Sequence, residues 1–294
     1  MSRLVANNIN IEYDTFGDRG ARPLLMVMGL GAQLIHWREE FCEQLAEAGH
    51  YVVRFDNRDA GLSEKFGHLG VPNIMEVMMR EQRGEPVDAP YSIDDMAADA
   101  FGVLDGLEIA EAHICGASMG GMVVQAMAIN APGRVKTLTS FMSSTGNPEL
   151  PASREDAMAA MLSPAATNRA ESIERSYEVG RVIGSPGFLA AEEDIKARAA
   201  EAFDRSFYPE GVTRQMAAIA AHGNRKPALE ALAVPALVIH GKDDPLVPVE
   251  AGLDTHAALA GSELRVIDGM GHDLPEALWP EIVGSIAQLT ARHP

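Results

Sequence analysis

Apolar residues along this chain gather into short runs, and between the runs they recur at helical spacing. Residues 23–28, Pro-Leu-Leu-Met-Val-Met, end at Gly29-Leu30-Gly31 without a polar interruption. An unbroken run of this kind fits a strand covered on both faces. Further strands are predicted at residues 51–55, 112–115, 135–142, 235–241 and 264–267. Residues 4–13 alternate weakly around the turn pair Asn7-Asn8 and read as a β-hairpin, with Ile9, Ile11 and Tyr13 on its second strand. Helices are predicted over roughly 37–48, 92–107, 119–130, 249–259 and 280–291. Ser92 is the N-cap of one of these, with Asp95 at the third helical position. Strands alternating with helices imply a mostly parallel sheet with helices on both faces.

Between residues 143 and 227 the strand signal disappears and the chain becomes rich in Ala, Met, Arg and Glu. One helix opens at Ser153-Arg154-Glu155-Asp156, and another covers 192–203. A helical insertion just past a strand's C-terminal end reads as a lid over a site. The expected organisation is a first core part at 1–142, a helical lid at 143–227 and a second core part at 228–294. The run Met75-Glu76-Val77-Met78-Met79 reads as adaptable packing, or alternatively as pocket lining.

Composition narrows the class. With 294 residues, 47% hydrophobic and 22% charged, the chain is an ordinary globular protein with room for a large core. No apolar run approaches the ~20 residues needed to span a bilayer. The start of the chain holds no long apolar stretch of a secretory signal, so a cytoplasmic protein is expected. The net charge of −18 disfavours nucleic acid and anionic membrane surfaces as partners. Cys42 and Cys115 fall in an expected helix and an expected core strand, and read as buried free thiols. No Cys/His cluster has metal-ligand spacing, so neither metal nor cofactor is expected.

The chemistry concentrates at Gly116-Ala117-Ser118-Met119-Gly120, between a strand and a helix. Gly-x-Ser-x-Gly in this context is a nucleophile elbow: a strained turn that presents a serine hydroxyl at a helix N-terminus, where flanking side chains would collide. A serine hydroxyl needs a base, and the base needs an acid to fix its tautomer. Nine histidines are available. His50 and His113 lie at the wrong edge of the sheet, His240 in a strand, His256 in a helix, His222 in the lid and His293 at the terminus. His36 follows the first glycine turn and could border a pocket. His272 alone stands on a Gly-flanked loop after the last strand, which makes it the candidate base. Asp243 and Asp244, after the 235–241 strand, both remain candidates for the acid. Pro245 favours a tight turn at Asp244. Two backbone donors are needed for an oxyanion, and Met119 and Leu30 are the candidates. Gly29 and Trp37 are the candidate pocket residues.

These landmarks resemble the α/β-hydrolase superfamily along nearly the whole chain. They are Met28-Gly29-Leu30-Gly31, Asp56-Asn57-Arg58-Asp59-Ala60-Gly61-Leu62-Ser63, the elbow, His240-Gly241-Lys242-Asp243-Asp244-Pro245 and Gly271-His272. Within the superfamily, Val27-Met28-Gly29 and Gly269-Met270-Gly271-His272 are most similar to aclacinomycin methylesterase-like carboxylesterases. The resemblance implies an α/β-hydrolase fold with an eight-stranded, mostly parallel sheet. It puts the acid at Asp244, three residues beyond the glycine of its motif, and implies a serine esterase acting on a small-molecule carboxylic ester. The chain departs from the family at Met28, where a histidine is common, and at Asp59, where a glycine is usual. The same triad would serve carbon–carbon bond hydrolysis, a lactonase, a perhydrolase or acyl transfer, and a binding protein on a hydrolase scaffold is the non-enzymatic alternative.

Overall fold

The computed structural model describes residues 1–294. Eight strands form one sheet: β1 (Ser2–Ala6), β2 (Ile9–Phe16), β3 (Arg22–Val27), β4 (His50–Phe55), β5 (Ala112–Ala117), β6 (Val135–Phe141), β7 (Ala236–Gly241) and β8 (Glu263–Ile267). Their order is β1-β2-β4-β3-β5-β6-β7-β8. The hairpin β1–β2 and the pair β2–β4 are antiparallel, and every other neighbour is parallel. Asn7 and Asn8 both take positive φ (47° and 65°), as a two-residue hairpin turn of this hand demands.

The core parts contain α1 (Glu39–Glu47), α2 (Ile74–Gln82), α3 (Ile93–Gly106) and α4 (Met119–Asn130). Five helices then follow between β6 and β7: α5 (Glu155–Met161), α6 (Arg169–Ile183), α7 (Glu192–Arg205), α8 (Pro209–His222) and α9 (Lys226–Glu230). The chain closes with α10 (Val249–Ala258) and α11 (Trp279–Ala291). The unbroken apolar run of β3 has a direct cause. Leu25 and Val27 pack with α3 and α4 on one face, while Leu24 and Met26 pack with α1 and α11 on the other. Ser92 caps α3 as its sequence implies, accepting the Asp95 N–H at 3.0 Å while the Asp95 carboxylate takes the Ser92 N–H at 2.8 Å.

One expectation fails here and a second holds only in part. Trp37 is no pocket residue: a 3-10 turn at Leu34–His36 delays the start of α1 and swings the indole inward. It stacks on Phe41, ring centroids 5.9 Å apart, and is buried in the α1/α11 layer. The methionine run is a helix, α2, capped by Asn73. Helical spacing turns Met75 and Met79 to solvent while Val77 is buried and Met78 half-buried, so the run packs through only part of its length.

Candidate active site

The elbow is built by close backbone approach. Ser118 sits at φ 55° and ψ −119°, between β5 and α4. A Cβ on Gly116 would run into the Gly120 carbonyl, and one on Gly120 into the Val27 carbonyl, so neither position admits a side chain. The Ser118 carbonyl accepts from Ser143 Oγ at 2.7 Å, and its N–H donates to Phe141 at 2.9 Å. These bonds hold a conformation that L-residues otherwise avoid.

The three candidate triad residues come together from the ends of β5, β7 and β8. His272 Nε2 lies 3.0 Å from Ser118 Oγ, and its Nδ1 lies 2.7 Å from Asp244 Oδ2. A carboxylate oxygen only accepts, so Nδ1 carries the proton and Nε2 offers its lone pair to the serine. The other Asp244 oxygen, Oδ1, accepts the N–H groups of Leu246 (2.9 Å) and Val247 (2.8 Å), which fixes the carboxylate after Pro245. Asp243 points elsewhere and accepts the Gly269 N–H at 2.7 Å, bracing the loop before His272. His240 is no rival base. It donates through Nε2 to the Val247 carbonyl at 2.8 Å, and burial holds its pKa below the usual histidine value. His50 and His113 lie buried at the opposite edge of the sheet.

The loop 29–31 lies against the serine. A Cβ on Gly29 would stand 3.1 Å from Ser118 Cβ and 3.2 Å from the Ala117 carbonyl, so glycine spares this loop a tight contact beside the serine. The Leu30 N–H bonds to no backbone carbonyl, and Met119 is the first residue of α4, where N–H groups lack intrahelical partners. The Gly31 N–H is already taken by Gln215 Oε1 of α8 at 2.8 Å. Gln215 also donates to the Arg58 carbonyl at 2.8 Å, and Asn57 Nδ2 donates to the Met28 carbonyl at 2.8 Å. Asn57 stands in the 56–63 motif, whereas Gln215 has no sequence signal. Gln215 is one glutamine in an Ala-rich helix and acts across 184 positions.

Asp59, which stands where a glycine is usual, has a structural account. Its φ is 65°, a conformation that explains the usual glycine and that aspartate tolerates. Its buried carboxylate receives the Arg214 guanidinium of α8 and the Tyr91 hydroxyl. Asp56, three residues earlier, receives Arg205 at 2.8 Å and the Leu34 N–H at 2.7 Å. The helical insertion is thus moored to the loops beside the serine.

A cavity of about 400 Å³ lies between α5–α8 and the core, touching the loop 29–31 at Gly31. His36, Met161, Phe203, Phe207 and Val212 are among its walls. Neither Ser118 nor His272 lines it, so it adjoins the candidate catalytic groups across the loop 29–31. No helix of the chain is long and apolar enough to cross a membrane.

Comparison with known proteins agrees with this architecture. Residues 22–276 match the alpha/beta hydrolase fold family. Over 98% of both chains the protein is 27% identical to the rhodomycin D methylesterase of Streptomyces peucetius. It is 30% identical to the 2-hydroxymuconate semialdehyde hydrolase of a Pseudomonas strain, covering 87% of this chain and 82% of that one. A meta-cleavage product hydrolase from Pseudomonas fluorescens superposes with a TM-score of 0.79 at 19% identity, over 100% of this chain and 98% of the other. The chain belongs to the α/β-hydrolase family.

Proposed function

We propose that this α/β hydrolase is a serine carboxylesterase. One observation carries the reading: the hydrogen-bond chain from Asp244 through His272 to Ser118, at 2.7 and 3.0 Å. Ser118 Oγ attacks the ester carbonyl while His272 Nε2 takes its proton. Asp244 holds the imidazole tautomer and stabilises the imidazolium. The N–H groups of Leu30 and Met119 receive the tetrahedral oxyanion. His272 then protonates the departing alcohol, and water repeats the sequence on the acyl-enzyme. No cofactor enters this cycle. The full-length similarity to a methylesterase makes a methyl ester the first substrate to try.

The test is a side-by-side assay of methyl and p-nitrophenyl esters, an enol-lactone and a vinylogous diketone. Ester turnover is expected to dominate, with Ser118→Ala lowering kcat by about 10⁴- to 10⁶-fold. A Ser118→Ala enzyme with near-normal turnover would remove the nucleophile from the scheme. Similarity to the semialdehyde hydrolase supports carbon–carbon bond hydrolysis as the second reading, and diketone cleavage outpacing every ester would install it instead.

A further inference from the structure

The loop that carries His272 is held from above by the insertion. Where α6 ends, the chain runs Ile183-Gly184-Ser185-Pro186-Gly187 directly against residues 269–273. The His272 N–H donates to the Ile183 carbonyl at 2.7 Å, and the Gly187 N–H donates to the Gly269 carbonyl at 2.8 Å. Between them, the Gly271 N–H donates to Ser185 Oγ at 2.9 Å. That hydroxyl, already an acceptor, gives its own proton to the carboxylate of Asp273. The fit is tight: a Cβ on Gly271 would meet the carbonyls of Gly184 and Ile183, and one on Gly187 would meet Gly269.

We propose that Ser185 and Asp273 are positioning residues for His272, clamping the imidazole's loop to the end of α6. The corner of the insertion at 183–187 is then a fixed wall of the site, and any opening motion belongs to other parts of the insertion. This rests on the esterase reading above, because it assigns the clamp to the same base.

The electrostatics agree with the geometry. Asp273 has no lysine or arginine partner, and burial pushes its carboxyl up from the usual carboxylate range. The hydrogen bonds from Ser185 act in the opposite direction, as does a positive charge on His272. His272 is therefore faced by Asp244 and His240 from β7 and its following turn, by Ser118 from β5, and by Asp273 on its own loop. Two acidic side chains thus border the imidazole, Asp244 in direct contact and Asp273 beside it on the same loop.

Four variants test the clamp: Ser185→Ala, Ser185→Thr, Asp273→Ala and Asp273→Asn. With p-nitrophenyl acetate, Ser185→Ala and Asp273→Ala are expected to lower kcat about 10- to 100-fold, as for a displaced catalytic group. KM is expected to stay within about twofold, since substrate contacts are untouched. Ser185→Thr retains the hydroxyl and is expected to recover most of the loss. Asp273→Asn keeps the shape but removes a charge, so the acidic limb of the kcat/KM profile is expected to move to lower pH. The His272 titration followed by NMR should move the same way, whether or not any ester is turned over. Folded variants with wild-type kcat and an unmoved His272 titration overturn the clamp. Equal losses in Ser185→Thr and Ser185→Ala also overturn it. Absence of ester turnover in the unaltered protein, with the NMR shift present, removes the esterase reading and leaves the clamp standing.

Discussion

The Arg214 guanidinium of α8 grips the Asp59 carboxylate at two points, Nε to Oδ2 at 2.8 Å and Nη2 to Oδ1 at 3.0 Å, with neither side chain exposed. The hydrogen bond to Asp59 pushes the arginine pKa above even its ordinary high value. A buried pair of this kind is costly to break from one side, because the partner charge stays behind without compensation. Asp59→Asn keeps a residue that accepts positive φ, so the backbone is spared. It is expected to cost about 3 kcal/mol of stability, read as a lower urea midpoint. A loss under about 0.5 kcal/mol would mean that the pair is not what moors α8.

Gln215 carries the other mooring, to the N–H of Gly31. Gln215→Leu takes the acceptor from the part-buried Gly31 N–H and leaves the Arg58 carbonyl buried without its donor, at about 1–3 kcal/mol for the carbonyl. Freed from α8, the loop 29–31 is expected to hold its Leu30 donor less well. The expected result is a kcat lowered about tenfold with KM little changed, because the oxyanion exists only beyond the ground state. Equal rises in KM alone would place Gln215 in substrate binding instead.

Ser118 carries backbone strain at φ 55° and ψ −119°. Strain at such a residue is worth about 1–3 kcal/mol, and glycine escapes it. Ser118→Gly is therefore expected to melt at a higher temperature than Ser118→Ala, while both lack turnover. If the alanine variant proves the more stable, the elbow is relaxed and the strain account fails.

Part of the acid sensitivity of the fold follows from histidines far from the site. His113, buried at the N-terminal edge of the sheet, donates or accepts only at Thr137 Oγ1, and its Nε2 has no partner. Burial drives its pKa from 6.5 down to about 4. The folded state thus resists a proton that the unfolded chain accepts. Its contribution is complete above pH 6.5 and is lost as the pH falls toward about 4. His50 is buried beside it and shifted in the same direction. The unfolding free energy from urea titrations is expected to fall from pH 7 to pH 5, by up to about 1.4 kcal/mol per pH unit for each such histidine. His113→Gln is expected to flatten that slope, and an unchanged slope would assign the acid sensitivity elsewhere.

How much of this was legible along the chain follows from how local each signal is. The strands of the sheet announce themselves because β3 and its neighbours are apolar on both faces, and the elbow because its glycines and serine are consecutive. The order of Ser118, the aspartate pair and His272 could be read, but the pair itself could not be split by residue type. Asp243 and Asp244 differ only in where one turn aims them, toward Gly269 or toward the imidazole. Trp37 was misplaced because a short 3-10 turn, invisible to periodicity, rotates it into the core. The moorings of the insertion escaped entirely. Gln215, Arg214 and Ser185 meet partners across 184, 155 and 88 positions, and no pattern in either segment hints at the other.

The ties between the insertion and the loops beneath it bear on how this enzyme could be re-engineered. Swapping residues 143–227 for the roof of a relative, to borrow its selectivity, would also remove the acceptor on Gly31 and the hydroxyl under Gly271. A chimera of that sort would arrive with a new pocket and a slack reaction centre. Grafts that leave residues 183–187 and Gln215 native, and exchange only the cavity-facing positions of α5 and α7, would separate the two jobs.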